Sequence, residues 1–138
     1  MYDHLFNYLE QFKEISEDDK IALRKYFKPT TRKKGELLVE EGKVCDEILF
    51  LNEGYVQVYV MKDVDEHTIH ITGPRDFISG YSSFISKTPS DDYLRALTDL
   101  EGFTISYPDI QELYGKSILW ERFGRNIIER LFVLKQKR

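Results

Sequence analysis

The chain has 138 residues, 41% hydrophobic and 32% charged, with 9 Tyr, 9 Phe, 1 Trp and a net charge of -4. That describes one domain with one core, too apolar and too aromatic to be disordered. The acidic balance argues against a module that coats nucleic acid, and the longest uncharged run, residues 77–86, is too short and polar to span a bilayer.

The opening Met1-Tyr2-Asp3-His4 starts no basic-then-apolar leader, so a cytoplasmic domain is expected. Leu5, Phe6, Leu9 and Phe12 recur at helical spacing. Ser16-Glu17-Asp18-Asp19 has the form of a capping box with acids on the positive helix end. Ile21, Leu23, Tyr26 and Phe27 supply the apolar side of the helix that follows, and Pro29 ends it.

Residues 29 to 105 change texture to short strands between turns. Leu37-Leu38-Val39 lies between Gly35 and Gly42, and Glu47 to Leu51 is β-prone. Tyr55 to Val60 alternates with period two, Lys62 to Glu66 reads as a charged hairpin loop, and His67 to Thr72 alternates again. Gly73-Pro74 turns the chain, and Phe77 to Ser86 has no clear period. Tyr93 to Thr98 and Gly102 to Ser106 complete the strands, which recur at the interval of a sandwich or barrel. Ser106-Tyr107-Pro108-Asp109 opens a helix to Gly115, and Ser117 can cap a longer one to Arg138.

That last helix carries Lys116, Arg122, Arg125, Arg130, Lys135, Lys137 and Arg138 against Glu121 and Glu129 only, so an acidic body ends in a basic helix. Trp120, Gly124, Ile127, Leu131 and Leu134 follow a coiled-coil spacing and predict a homodimer seam, with Gly124 allowing close helix approach. Phe123, Ile128 and Phe132 widen it, so the helix is expected to bury one side on its own barrel and one on a partner. No Gly or Pro closes the helix, which predicts that the protein continues past Arg138.

Five segments in order carry a family resemblance. They are Lys34-Gly35-Glu36-Leu37-Leu38-Val39-Glu40-Glu41-Gly42, Ile48 to Tyr59 with Gly54, Gly73-Pro74-Arg75-Asp76-Phe77-Ile78, Arg95-Ala96-Leu97-Thr98, and Ile105-Ser106-Tyr107. Together they resemble the cyclic-nucleotide-binding-like sensor domain of bacterial Crp/Fnr transcription regulators. The Gly80-Tyr81-Ser82-Ser83-Phe84 segment followed by Pro89-Ser90 is similar to a subgroup common in the Bacteroidetes. The resemblance implies a mainly β fold with flanking helices: a jelly-roll (double-stranded β-helix) sensor over 1–115, and a dimerisation helix over 116–138. It also implies DNA contact through a helix-turn-helix that is not in this chain. The alternative is a stand-alone ligand-binding or adaptor module without DNA binding.

In cyclic-nucleotide sensors the cassette offers backbone N–H groups to the phosphate, a Glu to the ribose and an Arg, followed by Ser or Thr, to the phosphate charge. By the resemblance, the Glu position falls on Gly80, the Arg position on Ser90, the next position on Asp91 and a purine-contacting helix position near Leu134. Hydrogen bonds to charged groups are worth roughly 1.5–3 kcal/mol each, and every 1.4 kcal/mol is about tenfold in affinity. This domain is therefore expected to bind neither cAMP nor cGMP appreciably. The degenerate pocket is assigned to Phe77, Ser79, Gly80, Tyr81, Ser82, Ser83, Ser90 and Asp91. Either Tyr81 and Phe84 fill it, or a small polar or weakly anionic effector enters it beside Lys87 and Arg95.

No cofactor is implied. His67 and His70, three apart on one strand, are expected on opposite faces and so do not share a metal. Cys45 beside Asp46 reads as a structural thiol, and no nucleophile triad, phosphate-binding loop or paired-carboxylate motif points to an enzyme.

Overall fold

The computed structural model describes residues 1–136; Lys137 and Arg138, the end of the basic run, lie outside them. Two short helices lead in, α1 (Asp3–Leu9) and α2 (Glu17–Tyr26). Eight strands follow: β1 (Lys28–Arg32), β2 (Leu37–Val39), β3 (Glu47–Glu53), β4 (Val56–Lys62), β5 (Asp65–Thr72), β6 (Asp76–Ile78), β7 (Tyr93–Ala96) and β8 (Leu100–Ser106). Helix α3 (Tyr81–Ser86) sits between β6 and β7, while α4 (Tyr107–Leu113) and α5 (Ile118–Gln136) close the chain.

The strands form two antiparallel four-stranded sheets, ordered β1-β8-β3-β6 and β2-β7-β4-β5. This is the jelly-roll arrangement, mainly β with a long C-terminal helix. Ile48, Phe50 and Phe103 from one sheet and Val56, Val58, Leu94 and Ala96 from the other are buried in one core. Backbone contact between β3 and β8 is so close at Gly102 that an added Cβ would lie 1.9 Å from the Phe50 carbonyl oxygen.

The start of α2 follows its sequence. Ser16 accepts from the Asp19 N–H, and Asp19 accepts from the Ser16 N–H. Asp19 also pairs with Lys13 at 2.7 Å and accepts from the Ser117 hydroxyl at 3.2 Å, tying the base of α5 to α2. Burial alone would raise the Asp19 pKa, but the hydrogen bonds from Lys13, Ser16 and Ser117 outweigh it and hold the carboxyl below its ordinary value.

Three expectations change. Ile21 is 63% exposed, because Asp19, Leu23 and Tyr26 share the buried face of α2 and Ile21 lies half a turn away from Leu23. The charged loop over Lys62 to Glu66 shrinks to Asp63-Val64, since Lys62 and Asp65 already pair across the hairpin and Asp63 takes the left-handed turn conformation. Strict alternation between His67 and His70 is broken by a register shift in β5, where Thr68 faces Tyr59 and His70 faces Val58. The residues without a clear period divide at Gly80 into β6 and α3.

Because the folded Asp19 pKa is depressed, its contribution is fully present above about pH 4 and is lost as pH falls through the folded value. Urea unfolding of Asp19→Asn at pH 7 is expected to cost about 1–2 kcal/mol. The wild type should lose more stability than the variant between about pH 5 and pH 2.5.

Candidate functional site

β6 lies against β3, with Phe77 opposite Phe50, and delivers the chain to Ser79-Gly80. From there α3 and the loop to Ser90 wrap one corner of the barrel. Gly80, Ser82, Ser83, Ser90 and Asp91 meet there with Thr88, Pro89 and Asp92, around a cavity of about 50 Å³. That volume holds roughly one or two water molecules.

Two of the corner's serines are already used. Ser83 accepts from the Cys45 N–H at 2.8 Å and donates to the Thr88 carbonyl at 2.5 Å. Ser90 accepts from the Asp92 N–H and donates to the Asp92 carbonyl, both at 3.0 Å. The Ser90 N–H is spent on Lys43 and its carbonyl on Gly42. A Cβ on Gly80 would lie 3.3 Å from both Cys45 and Val39, so a side chain there requires those neighbours to give by a few tenths of an ångström.

The other three predicted pocket residues lie elsewhere. Ser79 is buried behind the corner, donating to the Glu47 carbonyl at 2.7 Å with the Cys45 sulfur at 3.4 Å. Phe77 and Tyr81 turn away from the corner and line a second cavity of about 360 Å³ beneath α5. Tyr81 therefore does not fill the phosphate corner, as one reading expected. Phe84 does not either; it packs edge-on against Tyr107 at 5.4 Å. The loop closes the corner with its own hydroxyls and backbone. Lys87 and Arg95 are also withdrawn: Lys87 sits over the Tyr107 ring, and Arg95 is forked onto Glu66, bonded to Gln57 and stacked on Tyr59.

The cavity beneath α5 has a polar rim organised by Arg130, a residue that sequence reasoning counted only as a charge. Its guanidinium pairs with Asp76 at 2.6 Å and donates to the Phe77 carbonyl, to Asn126 and to the Tyr8 hydroxyl. Burial alone would lower its pKa, but Tyr81, Asp76 and Tyr8 outweigh that and raise it. Burial pushes the Tyr81 phenol above its ordinary value, so it carries its proton at neutral pH. His70, Thr72 and Leu134 complete the walls, which puts Leu134 where the resemblance placed a ligand-facing helix position.

The expected dimer seam is split. Trp120 and Ile127 are buried in the chain's own core, Trp120 stacked on Phe27. Gly124 accommodates the Tyr114 ring of the same chain, since an added Cβ would lie 2.9 Å from it. Leu131 and Leu134 are half-buried against the core. The apolar residues of α5 that face outward are Ile118, Ile128 (60% exposed) and Phe132 (64%), with the exposed Val133 at the rim of the cavity beneath α5. A groove of about 700 Å³ between α3, α4 and α5, lined by Ile85, Tyr107, Tyr114 and Ile128 among others, adjoins them.

The sequence profile described as the cyclic nucleotide-binding domain matches residues 29–117. No curated protein matches significantly. Among solved structures, a cyclic nucleotide-binding domain from Methylobacillus flagellatus superposes with a TM-score of 0.72 at 19% identity, over 98% of this chain and 76% of that one. The catabolite activator protein of Thermus thermophilus gives 0.71 at 18% identity, over 94% and 61%. The regulatory domain of Toxoplasma gondii PKA with cAMP gives 0.68 at 15% identity, over 80% and 43%. The chain thus spans less than half the length of that parasite protein, and at these identities the likeness is one of fold.

Arg130→Met removes the fork that joins α1, β6 and α5. With the pair's side chains 27% and 37% exposed, the expected cost is about 1–3 kcal/mol in urea unfolding. Hydrogen exchange should accelerate in the last two turns of α5 and not in its first two. Uniform acceleration along α5 would contradict the assignment.

Proposed function

The chain belongs to the cyclic nucleotide-binding domain family, and on that premise we propose that it is the effector-sensing and dimerisation part of a Crp/Fnr-type transcription regulator that does not answer to cAMP or cGMP. The barrel and its short helices, 1–115, sense; the helix over 116–138 pairs two copies and leads to a DNA-reading helix-turn-helix outside this chain. The regulator works in the cytoplasm and catalyses nothing.

One observation carries the nucleotide part. The corner that would hold a cyclic phosphate has about 50 Å³ of space, with the Ser83 and Ser90 hydroxyls and the Ser90 and Asp92 amides already bonded. Among the described residues no Lys or Arg lines it, while Asp91 and Asp92 do. An anion there meets repulsion without a paired cation. The fold of catabolite activator protein supports the regulator part, together with a long helix that buries one stripe on its own body and leaves a second apolar stripe outward. Exposed apolar patches of this kind mark interaction surfaces.

Calorimetry with cAMP and with cGMP is expected to show no saturable binding below about 100 μM, a limit set by the loss of two charged contacts. Saturation below that by either nucleotide refutes the reading. Light scattering should give a dimer for the wild type and a monomer for Ile128→Glu combined with Phe132→Glu. A wild type that is monomeric at tens of micromolar removes the dimerisation role.

A further inference from the structure

We infer that two copies of the chain pair α5 against α5 in antiparallel sense, crossing at Ile128, so that Phe132 of each copy enters the groove beside Gly124 of the other. The inference deepens the dimerisation reading above and rests on it.

The face comes first. At 3.6 residues per turn, Glu121, Ile128, Phe132 and Lys135 fall within an arc of about 60° on α5. All four are exposed, and they lie opposite Leu119 and Phe123, which are buried on the chain's own body. The stripe is therefore apolar at its centre and carries one negative and one positive group at its ends.

Charge sets the polarity. Glu121 stands seven residues before Ile128, and Lys135 stands seven after it. A parallel pair in register sets every residue against its own copy, so Glu121 meets Glu121 and Lys135 meets Lys135. An antiparallel pair with its two-fold axis through Ile128 sets each residue against the one equally far on the other side. Glu121 of each copy then meets Lys135 of the other, and Ile128 meets Ile128. Facing like charges are penalised in an interface and facing opposite charges are favoured, so the stripe complements itself in the antiparallel sense.

Shape has the same centre. Phe132, 64% exposed, projects four residues after Ile128. Gly124, four residues before it, has no side chain and opens on the groove of about 700 Å³ walled by Ile85, Tyr107, Tyr114 and Ile128. Phe132 and Gly124 of one chain are about 12 Å apart along the helix, so a chain does not fill its groove with its own Phe132. The antiparallel crossing brings each Phe132 over the Gly124 of the other copy and fills two grooves at once. A parallel pair sets ring against ring and leaves both grooves open. Charge and shape share one symmetry point, which selects a second copy of this chain as the occupant. The two Gln136 positions then lie about 24 Å apart on opposite sides of the crossing, within reach of DNA half-sites about 34 Å apart.

The test is oxidative cross-linking of cysteine variants of the purified chain, with dimerisation followed by light scattering. The native Cys45 is buried and stays in place. Ile128→Cys is expected to cross-link to itself in either polarity and serves as the control. Glu121→Cys and Lys135→Cys should each fail to cross-link alone and should cross-link when mixed. Charge reversal supplies a second readout. Glu121→Lys should weaken the dimer roughly three- to tenfold, and Glu121→Lys combined with Lys135→Glu should restore it. The inference is overturned if Glu121→Cys or Lys135→Cys links to itself more readily than the mixture links, or if the double reversal stays as weak as the single one. Those results leave a dimer standing and refute its polarity alone, whereas a monomeric wild type removes the dimerisation reading and this inference together.

Discussion

Everything at the functional end of this domain hangs on three residues of edge strand, Asp76-Phe77-Ile78. Phe77 points inward and meets four rings, Phe123 at 4.8 Å, Phe50 at 4.9 Å, Tyr8 at 5.0 Å and Phe27 at 6.2 Å. One side chain thus gathers the N-terminal helix, the end of α2, the barrel and the long helix. Each such ring pair is worth about 0.5–1.5 kcal/mol beyond the area it buries. Next to it, Asp76 faces outward and holds Arg130. That pair is partly exposed, and its energy is discounted accordingly. The rings hold the helix on the barrel, and the guanidinium fork fixes how its far half is turned.

The same strand divides the site in two. On its far side the chain passes through Ser79 and Gly80 into a corner with room for only about one or two waters, where Gly80 lies close to Cys45 and Val39. On its near side Phe77 and Tyr81 open onto the cavity beneath α5. A domain that recognises a cyclic nucleotide grips it from the phosphate end, through cassette amides and a cation. Here that grip is replaced by hydroxyls bonded to the loop's own backbone. What remains open is the end that touches the long helix directly.

Much of the fold can be read from residue order, because its signals are local. Period-two alternation marks β4 and β5, the Ser16–Asp19 box marks α2, and Ser106 with Pro108 marks α4. The segment after Ile78 resists such reading because a three-residue strand and a six-residue helix are each shorter than the period that would reveal them. Site residues are harder still. Eight pocket positions follow one another sensibly along the chain, yet the reversal at Gly80 sends Tyr81 to one cavity and Ser82 to another. Arg130 carries no motif; only the packing of α5 over β6 brings it to Asp76. The seam through Trp120, Gly124 and Ile127 has the right spacing for a partner helix, but a period of 3.5 does not say which neighbour covers it. Phe27 and Tyr114 of the same chain do.

This assignment of faces has a mechanical consequence. The first half of α5 is fixed: Leu119, Trp120, Phe123 and Ile127 are all buried, and Ser117 is tied to Asp19. Beyond Ile127 the inward contacts thin to Arg130 and the half-buried Leu131 and Leu134, with a cavity below them in place of a packed core. Helices in proteins owe most of their stability to such packing, so free energy along α5 is unevenly distributed. The well-packed half sets the axis, and the lightly packed half is where a few new contacts weigh most. The outward residue Phe132 lies on that same half, less than one turn from Arg130 and Leu134. A rotation that improves contact on the cavity side necessarily re-aims the outward stripe. The two faces of α5 are therefore not independent surfaces: the weakness of the inward one beyond Ile127 is what lets the outward one respond.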